Sequence, residues 1–134
     1  MITINNKKNI ATTTILLVDN EPDNTSVLSM GLEDEGFTVD AYNDPLLALS
    51  NFKPNFYALS ILDINMPKMN GYELYKEIRK IDDKVKICIL TASEIYNESL
   101  RAPPPQLLYD VKCFIPKPIA IDEFVKKVKK QLNL

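Results

Sequence analysis

Five short, nearly all-apolar segments alternate along this chain with longer segments whose apolar residues recur at helical spacing, and this alternation constrains the fold most. Strands that lack polar alternation are typical of a parallel sheet whose two faces are covered by right-handed helical connections. We therefore predict an α/β fold with a doubly wound, five-stranded parallel sheet and helices on both faces. The apolar segments predict strands at about 15–18, 37–42, 57–62, 87–90 and 113–115.

Proline and glycine mark where the predicted helices begin and end. The first helix is expected to run from Pro22 to Glu35 with Gly36 after it, and to bury Val27 and its neighbours Leu28, Gly31 and Leu32. Two more helices are predicted after Asp44 and from Gly71 to Ile81, and the last includes Phe124 and Val128. Between the last two strands the prolines at 103–105 interrupt the pattern, so only a short helix at about 93–101 fits.

Composition excludes several classes of function. The chain has no histidine, which removes the commonest general base and metal ligand, and its net charge of −2 argues against nucleic acid as a direct partner. No apolar run is long enough to cross a bilayer, so we expect no membrane association and a cytoplasmic location. Cys88 and Cys113 lie in apolar segments and are expected to be buried free thiols.

Polar residues follow four of the predicted strands. In an open parallel sheet ligands bind beyond the carboxyl ends of the strands, so these residues should converge. An acidic cluster without histidine or thiolate suits Mg²⁺, and a carboxylate nucleophile beside a hydroxyl and an ammonium suits phosphoryl transfer. The residues at the strand ends are Asp19, Asn20, Glu21, Asp63, Thr91 and Lys117.

Four segments, ILLVDNEPD, SILDINMPKMNG, KICILTAS and FIPKPI, resemble in order the conserved segments of response-regulator receiver domains. The resemblance covers nearly the whole chain. It implies a CheY-like, flavodoxin-like fold with strand order 2-1-3-4-5 and a receiver domain at 14–134. The polar stretch before it, at 1–13, could bind a partner but is expected to be a flexible N-terminal extension, as polar termini commonly are. The resemblance also implies a cis bond between Lys117 and Pro118.

The resemblance implies a role for each site residue. Asp63 would be the phosphoacceptor, with Thr91 and Lys117 as its catalytic partners, and Thr91 and Phe114 would be the residues that move with the switch. The implied ligands of Mg²⁺ are the side chains of Asp19, Asn20 and Asp63 and the backbone carbonyl of Asn65.

The sequence departs from the family pattern in three places. Asn20 replaces a carboxylate with a neutral amide, which predicts weaker Mg²⁺ binding, and Glu21 is a further candidate ligand. The segment between Thr91 and Lys117 is longer than is usual for the family. The sequence ends at Leu134 without an output domain, so we expect output through protein contacts or onward phosphotransfer.

The expected function is that of a receiver in a two-component phosphorelay. A histidine kinase or phosphotransfer protein would phosphorylate Asp63, and an unidentified downstream protein would bind the face formed by the fourth helix, fifth strand and fifth helix. The chain would be a monomer or a phosphorylation-linked homodimer. It would catalyse only its own phosphorylation and dephosphorylation, rather than act as a conventional enzyme. The alternative is a receiver-like interaction module that works without phosphate. Flavin binding is set aside, because the acidic turn after the first strand would repel a phosphate.

Overall fold

The computed structural model of this chain describes residues 13–92 and 111–134. They form a five-stranded parallel sheet in the order β2-β1-β3-β4-β5, so the predicted fold and strand order are confirmed. The strands are β1 (Thr14–Val18), β2 (Thr38–Tyr42), β3 (Leu59–Asp63), β4 (Lys86–Ala92) and β5 (Cys113–Lys117). The helices are α1 (Pro22–Asp34), α2 (Pro45–Ser50), α3 (Gly71–Ile81) and α4 (Ile121–Gln131).

The sheet separates two apolar cores. On one face Leu16 and Leu62 pack with α2 and α3, and on the other Ile15 and Leu17 pack with α1 and α4. Successive side chains of a strand point to opposite faces, so a central strand that serves both cores must be buried at every position and largely apolar. All five residues of β3 are buried, which agrees with this requirement.

The predicted helix boundaries hold within one or two residues, but one predicted contact is wrong. Gly36 follows α1 with φ 103°, the left-handed conformation that glycine adopts most readily. Val27 was expected in the core and is 52% exposed, whereas Thr25 is buried. The buried stripe of α1 therefore runs through Thr25, Leu28 and Leu32, and Val27 lies beside it.

The fifth strand is longer than predicted. The strand was expected to end at residue 115, yet β5 continues through Pro116 to Lys117. Proline is tolerated at the edge of a sheet, where its missing N–H costs no ladder hydrogen bond, and β5 is an edge strand. The bond between Lys117 and Pro118 is cis, as predicted.

The two cysteines are not free thiols, which corrects the sequence-based expectation. Cys88 of β4 lies directly opposite Cys113 of β5 in the parallel register, and their Cα atoms are 4.6 Å apart. The two residues form a disulfide within the core that α1 and α4 cover. A Cα separation of this size is within the range that a disulfide spans.

Two predictions concern residues outside those described. The short helix at about 93–101 lies there, as do residues 1–12 of the predicted extension. Among the described residues, no helix combines the length and apolar character that a membrane span requires.

Candidate functional site

The site is built at the carboxyl edge of the two central strands. Asp63 is the last residue of β3, and Asp19 directly follows β1, its neighbour in the sheet. Their carboxylates are almost completely buried, with 2% of Asp63 and none of Asp19 exposed. Two buried carboxylates close together repel each other unless a cation lies beside them.

Lys117 supplies that cation from the far end of β5. Its Nζ atom lies 3.2 Å from Oδ2 of Asp19 and 3.3 Å from Oδ1 of Asp63, so one ammonium donates to both carboxylates. The sheet places Lys117 opposite Ala92, one residue after Thr91 on β4. The structure thus brings together three residues that are 44 and 54 positions apart in the sequence, Asp19, Asp63 and Lys117.

Burial and the neighbouring charges bring the pKa of Asp63 close to neutral pH. Burial and then the charge of Asp19 raise the pKa of Asp63 to about 6, while the nearby Lys117 ammonium lowers it less strongly. Burial alone would lower the pKa of Lys117, but the charges of Asp63 and Asp19 outweigh it and raise that pKa above its usual range. Lys117 is therefore held as a cation, and Asp63 is mainly ionised at pH 7.

Two asparagines that the sequence reasoning did not identify hold the Asp19 loop. Nδ2 of Asn24, in α1, donates to Oε1 of Glu21 at 2.8 Å and to Oδ2 of Asp19 at 3.3 Å. Nδ2 of Asn43 donates to the Asp19 backbone oxygen at 2.8 Å and to Oγ1 of Thr25 at 3.0 Å. Asn24 lies within α1 and Asn43 lies just after β2. These positions were the only signal in the sequence, because asparagine is common at such places.

The arrangement of oxygen donors fits a hard cation in part. Asp19 and Asp63 supply two buried carboxylates at one point, and the backbone N–H of Asn65 donates to Oδ1 of Asp63 at 3.4 Å. Asn20 adds a partly buried amide next in sequence. Within residues 13–92 and 111–134, however, no three acidic side chains are grouped closely enough to form a metal site by themselves. A bound Mg²⁺ would therefore need amide, carbonyl, water or phosphate oxygens as well.

Gly71 keeps the loop after Asp63 close to the end of β3. The Gly71 N–H donates to the Ile64 backbone oxygen at 3.0 Å. A Cβ atom at Gly71 would lie 2.6 Å from the backbone oxygen of Asp63 and 2.8 Å from Cα of Ile64. Asn70 and Glu73 fix the adjoining helix start with a capping box, in which each side chain accepts from the other's N–H at 2.9 Å.

The two remaining predicted residues lie on the neighbouring strands. Thr91 is 4% exposed and is paired with Pro116, so it lies at the same carboxyl edge as Lys117. Phe114 is half-buried on β5 and packs against the core on the side of α2 and α3. The strand ends named from the sequence thus meet at one edge, as expected. Chemically, the site offers a buried carboxylate beside an ammonium and a second carboxylate, with a hydroxyl at the same edge of the sheet.

Comparison with known proteins places the chain among signalling proteins. Residues 15–129 match the family model described as the response regulator receiver domain. The response regulator ArlR of Staphylococcus epidermidis is 31% identical over 121 residues, which cover 90% of this chain and 53% of ArlR. This chain spans about a third to about half of the length of most of the curated response regulators that it matches, and a smaller share of the sensor protein EvgS of Escherichia coli, 7%.

Solved receiver structures have the same fold. The non-phosphorylated HemR receiver domain from Leptospira biflexa has a TM-score of 0.78 and 28% identity, over 91% of this chain and 95% of that chain. The response regulator protein TrrA from Thermotoga maritima, solved in complex with Mg²⁺-BeF, has a TM-score of 0.72 and 32% identity. That match covers 89% of this chain and 98% of TrrA.

Proposed function

The chain belongs to the response regulator receiver domain family, and we propose that it is a switch that accepts a phosphoryl group on the carboxylate of Asp63. The observation that carries this proposal is the single ammonium of Lys117 lying within 3.3 Å of both Asp63 and Asp19. Such an arrangement presents a nucleophilic oxygen next to a cation that can pair with phosphoryl oxygens.

In the proposed reaction, an ionised oxygen of Asp63 attacks the phosphorus of the donor. The bond from phosphorus to the donor's histidine nitrogen, or to the oxygen of a small phosphodonor, breaks, and its electron pair leaves with that group. The product is an acyl phosphate on Asp63. Although burial and Asp19 raise the pKa of Asp63 to about 6, this value is still below 7, so the reactive ionised form predominates at pH 7.

The proposed cofactor is Mg²⁺, which when bound neutralises charge on the phosphoryl oxygens. Asp19, Asp63, the backbone carbonyl of Asn65 and the side-chain oxygen of Asn20 would hold it. The relative TrrA was solved with Mg²⁺-BeF, which supports the assignment. Asn20 gives the site one negative charge fewer than a carboxylate would, so we expect weaker binding. Glu21, which Asn24 tethers beside Asp19, is the remaining candidate ligand.

Phosphorylation would shift the site between two arrangements. A phosphoryl group adds about −1.5 to −2 of charge, which Lys117 and the hydroxyl of Thr91 would bind by moving from their present positions. Phe114 would change rotamer with Thr91. Only the difference in free energy between the two arrangements can bias the equilibrium, so the size of the response depends on these contacts.

The proposed phosphate donors are a histidine kinase or a phosphotransfer protein, and the proposed receiver of the signal is a protein that binds β5 and its flanking helices. The proposed bounds of the receiver domain stay at 14–134, with a flexible extension at 1–13. The proposed location is the cytoplasm, and the chain would act as a monomer or as a homodimer formed on phosphorylation. The alternative, a module that works without phosphate, is not favoured by the family match, although Asn20 is compatible with it.

The test is intact-protein mass spectrometry after incubation with acetyl phosphate, with Mg²⁺ or with EDTA. The expected result is the gain of one phosphoryl group that requires Mg²⁺ and is absent in the Asp63→Asn variant. A Lys76→Gln variant, changed at an exposed residue of α3, should behave as the unmodified chain does. If no phosphoryl group is gained and beryllofluoride with high Mg²⁺ produces no spectral change, the phosphate-independent alternative replaces this proposal.

A further inference from the structure

A cleft lies at the opposite end of the strands from the carboxylates of Asp19 and Asp63. It has a volume of about 260 Å³ and is formed by the end of α3, the loop into β4, the first residues of β4 and the residue before β5. The last residue of α4, Gln131, closes one side. Neither the family match nor the proposed phosphorylation of Asp63 gives this cleft a role.

The cleft is strongly cationic in an otherwise slightly acidic protein. Among the described residues that line it, four are basic, Arg79, Lys84, Lys86 and Lys112, and one, Asp83, is acidic. The net charge of the whole chain is −2, so this concentration of positive charge is local. Clefts lined by one sign of charge focus the electric field and attract ligands of the opposite sign.

The lysines of the cleft have no carboxylate partner, as is also true of Lys76 and Lys127 among the described surface lysines. Elsewhere Lys68, Lys80 and Lys129 pair with Asp44, Glu77 and Glu35 respectively. In the described part of the chain, by contrast, Lys84, Lys86 and Lys112 form no ion pair with a carboxylate.

The carboxylate beside the cleft is already in use. Asp82 is 6% exposed and accepts hydrogen bonds from the N–H groups of Asn55, Lys84 and Val85 at 2.9, 2.9 and 3.2 Å. Although burial opposes it, these bonds hold the pKa of Asp82 below its usual range. The Asp82 side chain thus stabilises the backbone of the loop and does not pair with the lysines of the cleft.

The backbone fixes where the cations stand. Lys112 directly precedes β5, whose first residue, Cys113, pairs with Cys88, two residues after Lys86 on the adjacent strand. Nζ of Lys86 donates to the backbone oxygen of Gln131 at 2.6 Å, which covers a carbonyl at the negative end of α4. Nη1 of Arg79 donates to the backbone oxygen of Asp82 at 3.2 Å. Two of the four cations are therefore held in place by the main chain.

We infer that this basic cleft binds a small anion that carries two or more phosphate groups. Several cations around a compact concave space suit an oligophosphate, because each terminal oxygen can accept a charge-assisted hydrogen bond. The apolar side chains of Val85 and Ile87 also line the cleft and offer a contact to an organic group on such an anion. A long nucleic acid is disfavoured, since the rest of the molecule is on balance acidic.

The test is calorimetric titration of the full chain with pyrophosphate and with ADP, in EDTA so that no metal occupies the carboxylate site. Saturable binding of one equivalent is expected for at least one probe. The Lys84→Gln/Lys112→Gln double variant should bind about tenfold more weakly. The control Lys76→Gln/Lys127→Gln changes the net charge equally at exposed lysines outside the cleft, and should stay within about twofold of the unmodified chain.

Amide NMR shifts locate the bound probe, and they should centre on Val85, Lys86 and Lys112. Tighter binding of ADP than of pyrophosphate would show that Val85 and Ile87 contribute to binding. Equal binding would show that the phosphate groups supply the affinity. The inference would be overturned by no saturable binding of either probe, by equal weakening in both double variants, or by shifts centred on Asp63. Tighter binding of single-stranded DNA than of ADP, lost equally in both variants, would also overturn it in favour of a diffuse basic surface.

Discussion

At the scale of single residues, the protonation state of Asp63 is the property on which the site depends. Its carboxylate is buried between Asp19 and Lys117, and the surroundings raise its pKa from 3.8 to about 6. Between these two values the folded protein holds a proton that the unfolded chain has released. Stability therefore falls as the pH rises from about 4 to about 6, because the folded state must give up a proton that it binds more tightly.

We predict that the Asp63→Asn substitution stabilises the metal-free protein at pH 7. The amide resembles the protonated carboxylate and removes both the cost of burying a charge and the repulsion from Asp19, which together correspond to about 3 kcal/mol at 1.36 kcal/mol per unit of pKa shift. At pH 4 the two proteins should differ little. Urea unfolding at both pH values, in EDTA, measures the difference. The prediction would be wrong if the two stability curves ran parallel from pH 4 to pH 7, and Asp23→Asn, at an exposed position, serves as the control.

Much of the site could be predicted from the sequence, because one geometric rule was enough to group its residues. Asp19, Asp63 and Lys117 each follow or end a strand, and the carboxyl ends of parallel strands meet at one edge. The tethers made by Asn24 and Asn43 could not be predicted. They depend on the rotation of α1 and on the path of the chain after β2, and neither leaves a periodic pattern in the sequence.

At the scale of the elements, the turn from β3 into α3 connects the nucleophile to the rest of the fold. The Gly71 N–H bonds back to Ile64, and the capping box of Asn70 and Glu73 fixes the direction of α3. The space for a side chain at Gly71 is filled by backbone atoms of Asp63 and Ile64, which cannot rotate away as a side chain can.

We predict that Gly71→Ala destabilises the protein by about 1–3 kcal/mol, the usual cost of overpacking, and slows phosphorylation of Asp63 by acetyl phosphate. The matched control is Gly31→Ala in α1. Its Cβ would lie 2.8 Å from Cγ2 of Ile121, a side-chain atom that can move, and alanine favours a helix. Thermal unfolding and mass spectrometry of both variants give the comparison. Equal stability of the two variants would contradict the argument from backbone contact.

The elements also show where sequence reasoning fails. The boundaries of α1 and α3 were predictable because proline, glycine and the capping residues act locally. The extension of β5 through Pro116 was not, since a proline within a strand is acceptable only at a sheet edge and the edge position emerges from the strand order. The exposure of Val27 likewise follows from how α1 packs against α4, which no segment encodes by itself.

At the scale of the whole molecule, the disulfide between Cys88 and Cys113 is the feature that the sequence least revealed. Two cysteines separated by 25 residues can be neighbours only if their strands are adjacent and in the right register. The strand order was predictable, but the register was not. The bond ties the edge strand β5, which carries Lys117, to β4, which carries Thr91.

We predict that reduction of this disulfide lowers the free energy of unfolding by about 3 kcal/mol, from the loop-closure entropy of a loop of this length. Thermal unfolding with and without dithiothreitol measures the change. A Cys88→Ala/Cys113→Ala double variant is the control and should not respond to the reductant. Two free thiols in the untreated, denatured protein, together with identical unfolding in both conditions, would contradict the prediction.

The carboxylate site and the cationic cleft also give the molecule an uneven distribution of charge along its strands. The carboxylates of Asp19 and Asp63 lie at one end of the strands and the cationic cleft at the other, about 20 Å away for strands of this length. A molecule with this arrangement behaves as an electric dipole, and its small net charge conceals this. Near an anionic surface it would therefore turn its cationic end toward that surface before it bound.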